Sequence, residues 1–196
     1  VNGEGMKDII TYSHTLIGCS QVTCEAIRKA GGENVELLYE FVDPSKLVGD
    51  PTRAAQIRQE LGIPESDYVW IGSGMTSERK GFDMLPDIAE ALDDPHVHLV
   101  WVGDKVDDGL VYYTEHRCRT TKSRTRVHLV GKQKEDYGNY LNVGNGFLLP
   151  SRQDPFPLVM IEAALLGKPI VSFPSGGVSE FIQADMGIVT EEISVR

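Results

Sequence analysis

Short apolar runs alternate with helical patterns along most of the chain. Seven runs rich in β-branched and aromatic residues are found at Val35–Tyr39, Tyr68–Ile71, Val97–Val102, Arg126–Val130, Phe147–Leu149, Pro169–Phe173 and Met186–Val189. Their apolar positions are nearly continuous, which predicts strands covered on both faces, as in a parallel sheet. Helical patterns separate them at Pro51–Leu61, Phe82–Leu92, Leu110–Thr120, Glu135–Asn142, Pro157–Leu166 and Val178–Ala184. This alternation predicts an α/β fold with a Rossmann-like, doubly wound parallel sheet.

The first 42 residues follow a different pattern. We expect two short strands within Ile9–Cys19 and a helix that begins after Ser20, a good N-cap, and runs to Lys29. A segment of this size is too short to fold by itself. We therefore expect residues 1–42 to be the remnant of a preceding N-terminal domain and its connection, and residues 43–196 to form the sheet domain.

Charge and composition narrow the classes of function. The 196 residues carry a formal net charge of −10, so a surface that binds nucleic acid is not expected. Any anionic ligand must be met locally. Three cysteines without a disulfide framework, and no signal peptide or apolar span, favour a cytoplasmic protein. His96 and His98 share one face of a predicted strand, but two histidines at this spacing are more often incidental than a metal site. We therefore expect no metal, and we expect no other cofactor.

The stretch Ser151–Ala163 carries the most information. A strand ends, a loop follows, and a helix begins near Pro157, so the amides of Leu158 and Val159 face the loop as a ready anion site. Glu162 is the one charged residue in an otherwise apolar helix, either accepting ligand hydroxyls in a cleft or lying on the surface. Asp154, eight positions earlier, is either a helix cap or a second acceptor at the helix mouth, about two turns away.

A second candidate stretch, Gly72–Asp83, joins a predicted strand to a predicted helix. Its adjacent cations, Arg79 and Lys80, are placed to clamp a diphosphate or else form a solvated loop pair. The glycines fit neither the dinucleotide fingerprint nor the P-loop spacing. A third stretch, Ser175–Ile182, has a glycine pair that allows close backbone approach, with Ser179 or Glu180 free to cap or bind.

Together these stretches resemble the C-terminal, donor-binding domain of retaining glycosyltransferases with the GT-B fold, specifically glycosyltransferase family 4. The resemblance rests on the order of Gly72-Ser73, Arg79-Lys80-Gly81, Gly103-Asp104, Val130-Gly131, Leu149–Ala163, Gly167–Val171 and Gly176–Ile182. The family signature of two glutamates separated by seven residues is occupied here by Asp154 and Glu162. One departure is Ser73-Gly74-Met75, where many members place an arginine after the glycine.

The resemblance implies a role for each matching residue. Arg79 and Lys80 would hold the diphosphate, Asp154 would contact the donor sugar, and Glu162 would contact the nucleotide ribose. Further donor-binding residues would be Gly72, Ser73, Phe156, Pro157, Leu158 and Val159, with the base near Gly131 and Lys132. No metal is implied, because fixed cations and helix dipoles can stabilise the leaving diphosphate.

The resemblance also implies partners. A nucleotide-diphosphate sugar would be the donor, and an acceptor glycan or lipid-linked glycan would bind a missing N-terminal domain, so we expect a fragment with little or no transferase activity. It leaves open peripheral membrane association of the full-length protein. Two alternatives remain at this point: a standalone nucleotide-binding or interaction module, and a GT-B sugar epimerase.

Overall fold

A computed structural model describes residues 3–195 as eight α-helices and eight strands. The helices are α1 Gly3–Tyr12, α2 Gln21–Lys29, α3 Pro51–Glu60, α4 Leu85–Leu92, α5 Asp108–Thr120, α6 Tyr137–Val143, α7 Leu158–Leu165 and α8 Val178–Phe181. The strands are β1 Leu16–Gly18, β2 Val35–Leu37, β3 Tyr68–Ser73, β4 Val97–Val102, β5 Arg126–Gly131, β6 Gly146–Leu149, β7 Ile170–Ser172 and β8 Gly187–Val189. Within these residues, no helix has the length and apolar character needed to cross a membrane.

Six of the strands form one parallel sheet in the order β5-β4-β3-β6-β7-β8. Both faces of this sheet are covered by apolar clusters, because adjacent residues of β4 belong to different clusters. Val100 and Val102 belong to an apolar cluster with Ile57 and Met160, whereas Leu99 and Trp101 belong to a second cluster on the opposite face. Continuous apolar strands bury both faces in this way. The predicted α/β fold with a doubly wound parallel sheet is therefore confirmed.

The first segment folds differently from the prediction. Two short strands were expected within Ile9–Cys19, but helix α1 extends to Tyr12, and only Leu16–Gly18 forms a strand. The β-branched residues before Tyr12 favour a strand by propensity, which is a weak preference that context overrides. Thr11 adapts to the helix by donating its hydroxyl proton to the carbonyl oxygen of Lys7 at 2.8 Å. Strands β1 and β2 pair in parallel as a separate two-stranded sheet.

Helix α2 attaches this segment to the larger sheet. Ser20 caps the helix as predicted, accepting from the amide of Thr23 at 3.1 Å. The carboxylate of Glu180 accepts from the amides of Gln21 at 2.8 Å and Val22 at 3.2 Å, and from the Tyr39 hydroxyl at 3.1 Å. Glu180 therefore satisfies the start of α2 from across the molecule, where the helix dipole favours a negative charge.

Candidate functional site

The sheet topology singles out one place on its carboxyl edge. The chain runs from β3 outward through β4 to β5, and then returns to place β6 on the other side of β3. The strand order therefore reverses between β3 and β6, and the connections after these two strands meet at the carboxyl edge of the sheet. Ligands of open α/β sheets bind at such a switch point. The predicted stretches Gly72–Asp83 and Ser151–Ala163 follow these two strands.

The two loops are joined by a buried ion pair. Lys80 donates from Nζ to Oδ2 of Asp154, and the two side chains are only 13% and 7% exposed. Arg79, 40% exposed, donates from Nη1 to the carbonyl oxygen of Gln153 at 2.9 Å and lies 3.9 Å from Oδ1 of Asp154. The structure thus brings together the three residues predicted to contact the diphosphate and the donor sugar, of which Lys80 and Asp154 are 74 residues apart in the chain.

Further contacts fix the loop that carries Asp154. Arg152 forms a two-pronged ion pair with Asp83, at 2.7 and 2.8 Å, and donates to the carbonyl oxygen of Glu78 at 2.6 Å. The amide of Asp154 donates to the hydroxyl of the buried Ser175 at 2.8 Å. Gly176 has a φ of 54°, and a Cβ there would lie 1.9 Å from the Asp154 carbonyl oxygen, so the glycine is needed for this approach. The loop is therefore held before any ligand arrives.

Helix α7 starts beside this loop with its first amides uncapped. Its N-cap residue is Pro157, and no side chain within residues 3–195 caps it. Asp154, whose alternative role was that of a cap, is paired with Lys80 instead. Phe156 and Pro157 are buried, while Leu158 is exposed and Val159 half-buried. The start of α7 thus keeps the partial positive charge of a helix N-terminus that has no side-chain cap among the described residues.

The helical spacing assumed between the two carboxylates is wrong. Because residues 154–157 form a loop, Glu162 lies four residues inside a helix that begins at Leu158, which is little more than one turn and not two. The structure also gives Glu162 a partner within the protein. Its side chain is half-buried, and Oε2 accepts a hydrogen bond of 2.6 Å from the Tyr137 hydroxyl.

Tyr137 links Glu162 to the end of strand β3. Its hydroxyl oxygen lies 3.1 Å from the Ser73 hydroxyl, and Ser73 is buried at the last position of the strand. Burial, with the nearby charge of Glu162, raises the pKa of Tyr137 well above its usual range. Oε1 of Glu162 accepts no hydrogen bond from residues 3–195 and is available to a ligand.

The other predicted donor-binding residues are placed less directly. Gly72 lies within β3, where a Cβ would come 2.8 Å from the Trp101 ring, so packing accounts for this glycine. Gly131 ends β5 at the same edge of the sheet. The exposed Lys132 side chain forms an ion pair with Asp104, which holds the pKa of that carboxyl below its usual range. Lys132 is therefore already paired.

Sequence reasoning assigned no individual role to Tyr137, Ser175 or Asp104, although Ser175 and Asp104 lie in stretches that it singled out. A usable signal existed for Tyr137, because the predicted helix Glu135–Asn142 follows a strand, and its first turn must lie at the carboxyl edge of a parallel sheet. A polar side chain in that turn was a candidate site residue. No comparable signal marks Ser175, whose contact with Asp154 depends on the order of β6 and β7.

Arg58 and Asp67, at the opposite, amino edge of the sheet, make several contacts within the protein, although Nε of Arg58 is buried without a partner among the described residues. Arg58 donates to the carbonyl oxygens of Val143 at 3.1 Å, Pro64 at 3.0 Å and Asp67 at 2.5 Å. The side chain of Asp67 contacts His96 at 3.1 Å and the buried His98 at 3.2 Å. These contacts, that of His96 foremost, hold the pKa of Asp67 below its usual range. The two histidines thus share a carboxylate partner.

A third histidine extends this group. Nδ1 of His98 lies 3.0 Å from Nε2 of His128, and the rings stack with centroids 5.2 Å apart. Burial, with the neighbouring His98 and Arg126, lowers the pKa of His128 to about 4.

Known proteins resemble this chain along much of its length. N-acetyl-alpha-D-glucosaminyl L-malate synthase of Bacillus anthracis is 27% identical over 192 residues, which are 96% of this chain and 48% of that protein. Alpha-galactosylglucosyldiacylglycerol synthase of Streptococcus pneumoniae is 27% identical over 146 residues, 71% of this chain and 37% of that protein. The chain therefore spans less than half the length of these two curated relatives.

Solved structures show the same fold. The Anabaena protein HepE, crystallised with UDP and glucose, superposes with a TM-score of 0.86 at 22% identity, covering 100% of this chain and 55% of that one. A glycosyltransferase from Rickettsia africae superposes with a TM-score of 0.82 at 14% identity, covering 100% of this chain and 54% of that one. The profile of the family described as glycosyl transferases group 1 matches residues 65–195. The chain belongs to that family, and its fold is that of GT-B glycosyltransferases.

Proposed function

We propose that this chain is the donor-binding part of a retaining glycosyltransferase that takes a sugar from a nucleotide-diphosphate sugar. The observation that carries the proposal is the meeting of Arg79, Lys80 and Asp154 at the switch point of the sheet, beside an uncapped helix. Two cations and a helix N-terminus form a local site for a diphosphate in a protein whose net charge is −10. HepE, a neighbour in fold, was crystallised with UDP and glucose.

The proposed roles follow from the contacts. The acceptor oxygen bonds to the anomeric carbon as the bond from that carbon to the phosphate oxygen breaks. The negative charge that this leaves on the diphosphate is stabilised by Arg79, Lys80 and the start of α7. Asp154 holds Lys80 in place and lies where the donor sugar would be contacted. Glu162 accepts a ribose hydroxyl through the free Oε1. No metal is required in this scheme, because the cations are already fixed, and the leaving phosphate helps to deprotonate the acceptor.

The acceptor glycan or lipid-linked glycan is assigned to a second domain. Both curated relatives are more than twice as long as the part of them that this chain matches, which leaves room for one. Residues 1–42, with their separate two-stranded sheet, are proposed as the end of that domain and its connection. The 196 residues by themselves would then bind the donor but transfer little sugar. The complete protein would act in the cytoplasm on polysaccharide or lipid-linked precursors.

The alternatives are less well supported. A standalone binding module or a sugar epimerase would be compatible with the fold, but the curated relatives are named as synthases and glycosyltransferases. Two of those names refer to a glycan or glycolipid, namely teichuronic acid and a galactosylglucosyldiacylglycerol. We therefore propose glycosyl transfer rather than a standalone binding module or a sugar epimerase.

Thermal unfolding in the presence of UDP, ADP or GDP tests the proposal. A nucleotide at 100 times its Kd stabilises the native state by about 2.7 kcal/mol, which raises the midpoint by roughly 5 to 10 °C for a chain of this length. Replacement of Glu162 by Gln removes the charge of the acceptor, and we expect the affinity to fall about tenfold. The matched control is Glu65→Gln, an exposed carboxylate at the opposite edge of the sheet. A wild-type midpoint that none of the nucleotides moves would contradict the proposal.

A further inference from the structure

Tyr137 occupies a position that the assigned roles do not explain. It is the first residue of α6, and that helix follows the carboxyl end of β5. Its hydroxyl lies between two residues from other elements, 2.6 Å from Oε2 of Glu162 in α7 and 3.1 Å from Oγ of Ser73 at the end of β3. Three separate elements thus meet at one phenol hydroxyl, next to the proposed ligand site.

The direction of both hydrogen bonds follows from the groups involved. An ionised Glu162 can only accept, so the single hydroxyl proton of Tyr137 must be donated to it. The phenol oxygen is then left to accept the proton of Ser73. The raised pKa of Tyr137, due to burial and to the charge of Glu162, keeps the phenol neutral and able to donate. The chain of donors therefore runs from Ser73 to Tyr137 to Glu162.

This arrangement fixes the carboxylate of Glu162. Glutamate has three side-chain torsions, and holding its carboxylate in one orientation costs conformational entropy. The hydrogen bond from Tyr137 occupies Oε2 and leaves Oε1 as the oxygen available to a ligand. Part of the ordering cost is then met before the ligand binds, which strengthens a single hydroxyl contact through Oε1.

We propose that Tyr137 is a positioning residue that orients Glu162 toward the hydroxyls of a bound nucleotide ribose and so sets the preference for ribonucleotides over their deoxy analogues. The inference rests on the proposed nucleotide site. Tyr137 itself does not contact the ligand in this scheme. Its removal therefore weakens the recognition of hydroxyls more than the binding of the diphosphate.

Calorimetric titration of the 196-residue chain tests this. The probe is whichever of UDP, ADP and GDP binds best, together with its 2′-deoxy and 3′-deoxy analogues. In Tyr137→Phe, which keeps the ring and loses the hydroxyl, we expect affinity for the ribonucleotide to fall about tenfold. Affinity for the deoxy analogue that wild type binds least tightly should change less than about twofold. The ratio of the affinity for the ribonucleotide to the affinity for that deoxy analogue then falls toward one.

Tyr140→Phe is the matched control. Tyr140 lies on the same helix, one turn from Tyr137, and has no hydrogen bond to Glu162 among residues 3–195. We expect it to keep the wild-type ratio. If Tyr137→Phe fails to fold, Ser73→Ala removes the outer donor while leaving the ring in place, and should lower the ratio about threefold.

The outcomes separate the two claims. Wild-type protein that binds none of the three nucleotides overturns the proposed function. If the wild-type protein binds a ribonucleotide no more tightly than either of its deoxy analogues, the role of Tyr137 is overturned. It is also overturned if Tyr137→Phe keeps the wild-type ratio of the two affinities. If only Ser73→Ala can be measured, an unchanged ratio in that variant overturns it equally.

Discussion

The two edges of the six-stranded sheet use similar charged residues in opposite ways. At the amino edge, Arg58 donates to three carbonyl oxygens, and Asp67 is held by two histidines. At the carboxyl edge, Lys80 and Asp154 form a pair, but Arg79 is 40% exposed and α7 has no side-chain cap within the described residues. The two edges therefore differ in how their charged groups are used within the protein rather than in the number of charges, and this difference supports the proposed site at the carboxyl edge.

Two helix starts repeat this contrast at closer range. Ser20 and Glu180 satisfy the first amides of α2, so the dipole of that helix serves the attachment of the first segment. The first amides of α7 have no such partner. Phe156, just before α7, packs against Tyr39 with ring centroids 5.2 Å apart, which places both helix starts on connected parts of the molecule. The start of α2 is thus satisfied by side chains of the protein, whereas the start of α7, like those of α4, α6 and α8, has no side-chain cap among the described residues.

Replacing Lys80 should have the largest effect. In Lys80→Met, the buried carboxylate of Asp154 loses its cation, and we expect the free energy of unfolding to fall by about 3 to 5 kcal/mol. Nucleotide affinity should fall at least about 100-fold, because a fixed cation is lost from the diphosphate site. Urea unfolding and calorimetry measure the two effects.

A double variant separates stability from binding at this position. Lys80→Met combined with Asp154→Asn removes both charges of the pair, so most of the lost stability should return while the affinity stays low. If affinity recovered together with stability, Lys80 would act through the fold alone. The proposal that charged residues at the carboxyl edge serve binding would then be contradicted at Lys80.

Replacing Arg58 should reduce stability without affecting the ligand. Arg58→Met leaves the carbonyl oxygens of Val143, Pro64 and Asp67 without their donor, at a cost of about 2 to 3 kcal/mol in the free energy of unfolding. The folded variant should bind nucleotide within about twofold of wild type. Arg58→Lys keeps the charge but loses the planar guanidinium, so its free energy of unfolding should lie between those of wild type and Arg58→Met. A variant with normal stability and weakened binding would reverse the assignment of this edge.

The smallest of the three effects concerns pH. His128 has a pKa of about 4 in the folded protein against an ordinary value of 6.5, so below pH 6.5 the unfolded state binds a proton that the folded state does not. This lowers stability as the pH falls toward 4, by about 2 kcal/mol for this one group. In His128→Gln, this loss of about 2 kcal/mol in the free energy of unfolding at low pH should be missing. His116→Gln, at an exposed position, should show the same loss as wild type. Urea unfolding at pH 7 and pH 4.5 gives the comparison, and equal acid sensitivity in all three proteins would contradict it.

The local pattern was sufficient for most of the secondary structure. The strand that ends at Leu149, the helix that starts after Pro157 and the cap at Ser20 were all predicted from periodicity and from the preferences of proline and serine. Local propensity was wrong before Tyr12, where β-branched residues occur in a helix. That segment has few buried side chains, so no apolar pattern was there to correct the propensity.

What the sequence determined by itself was an alternating α/β chain with two cations after one strand, and with an aspartate in a loop and a glutamate in a helix after another. It could not say that those strands are neighbours, because the order of strands in a parallel sheet is set by crossovers and packing rather than by local pattern. The position of β6 beside β3 brings Lys80 to Asp154 across 74 residues of chain. The same tertiary structure decided whether Glu162 faced solvent or a partner, because the Tyr137 hydroxyl that holds it comes from a different helix.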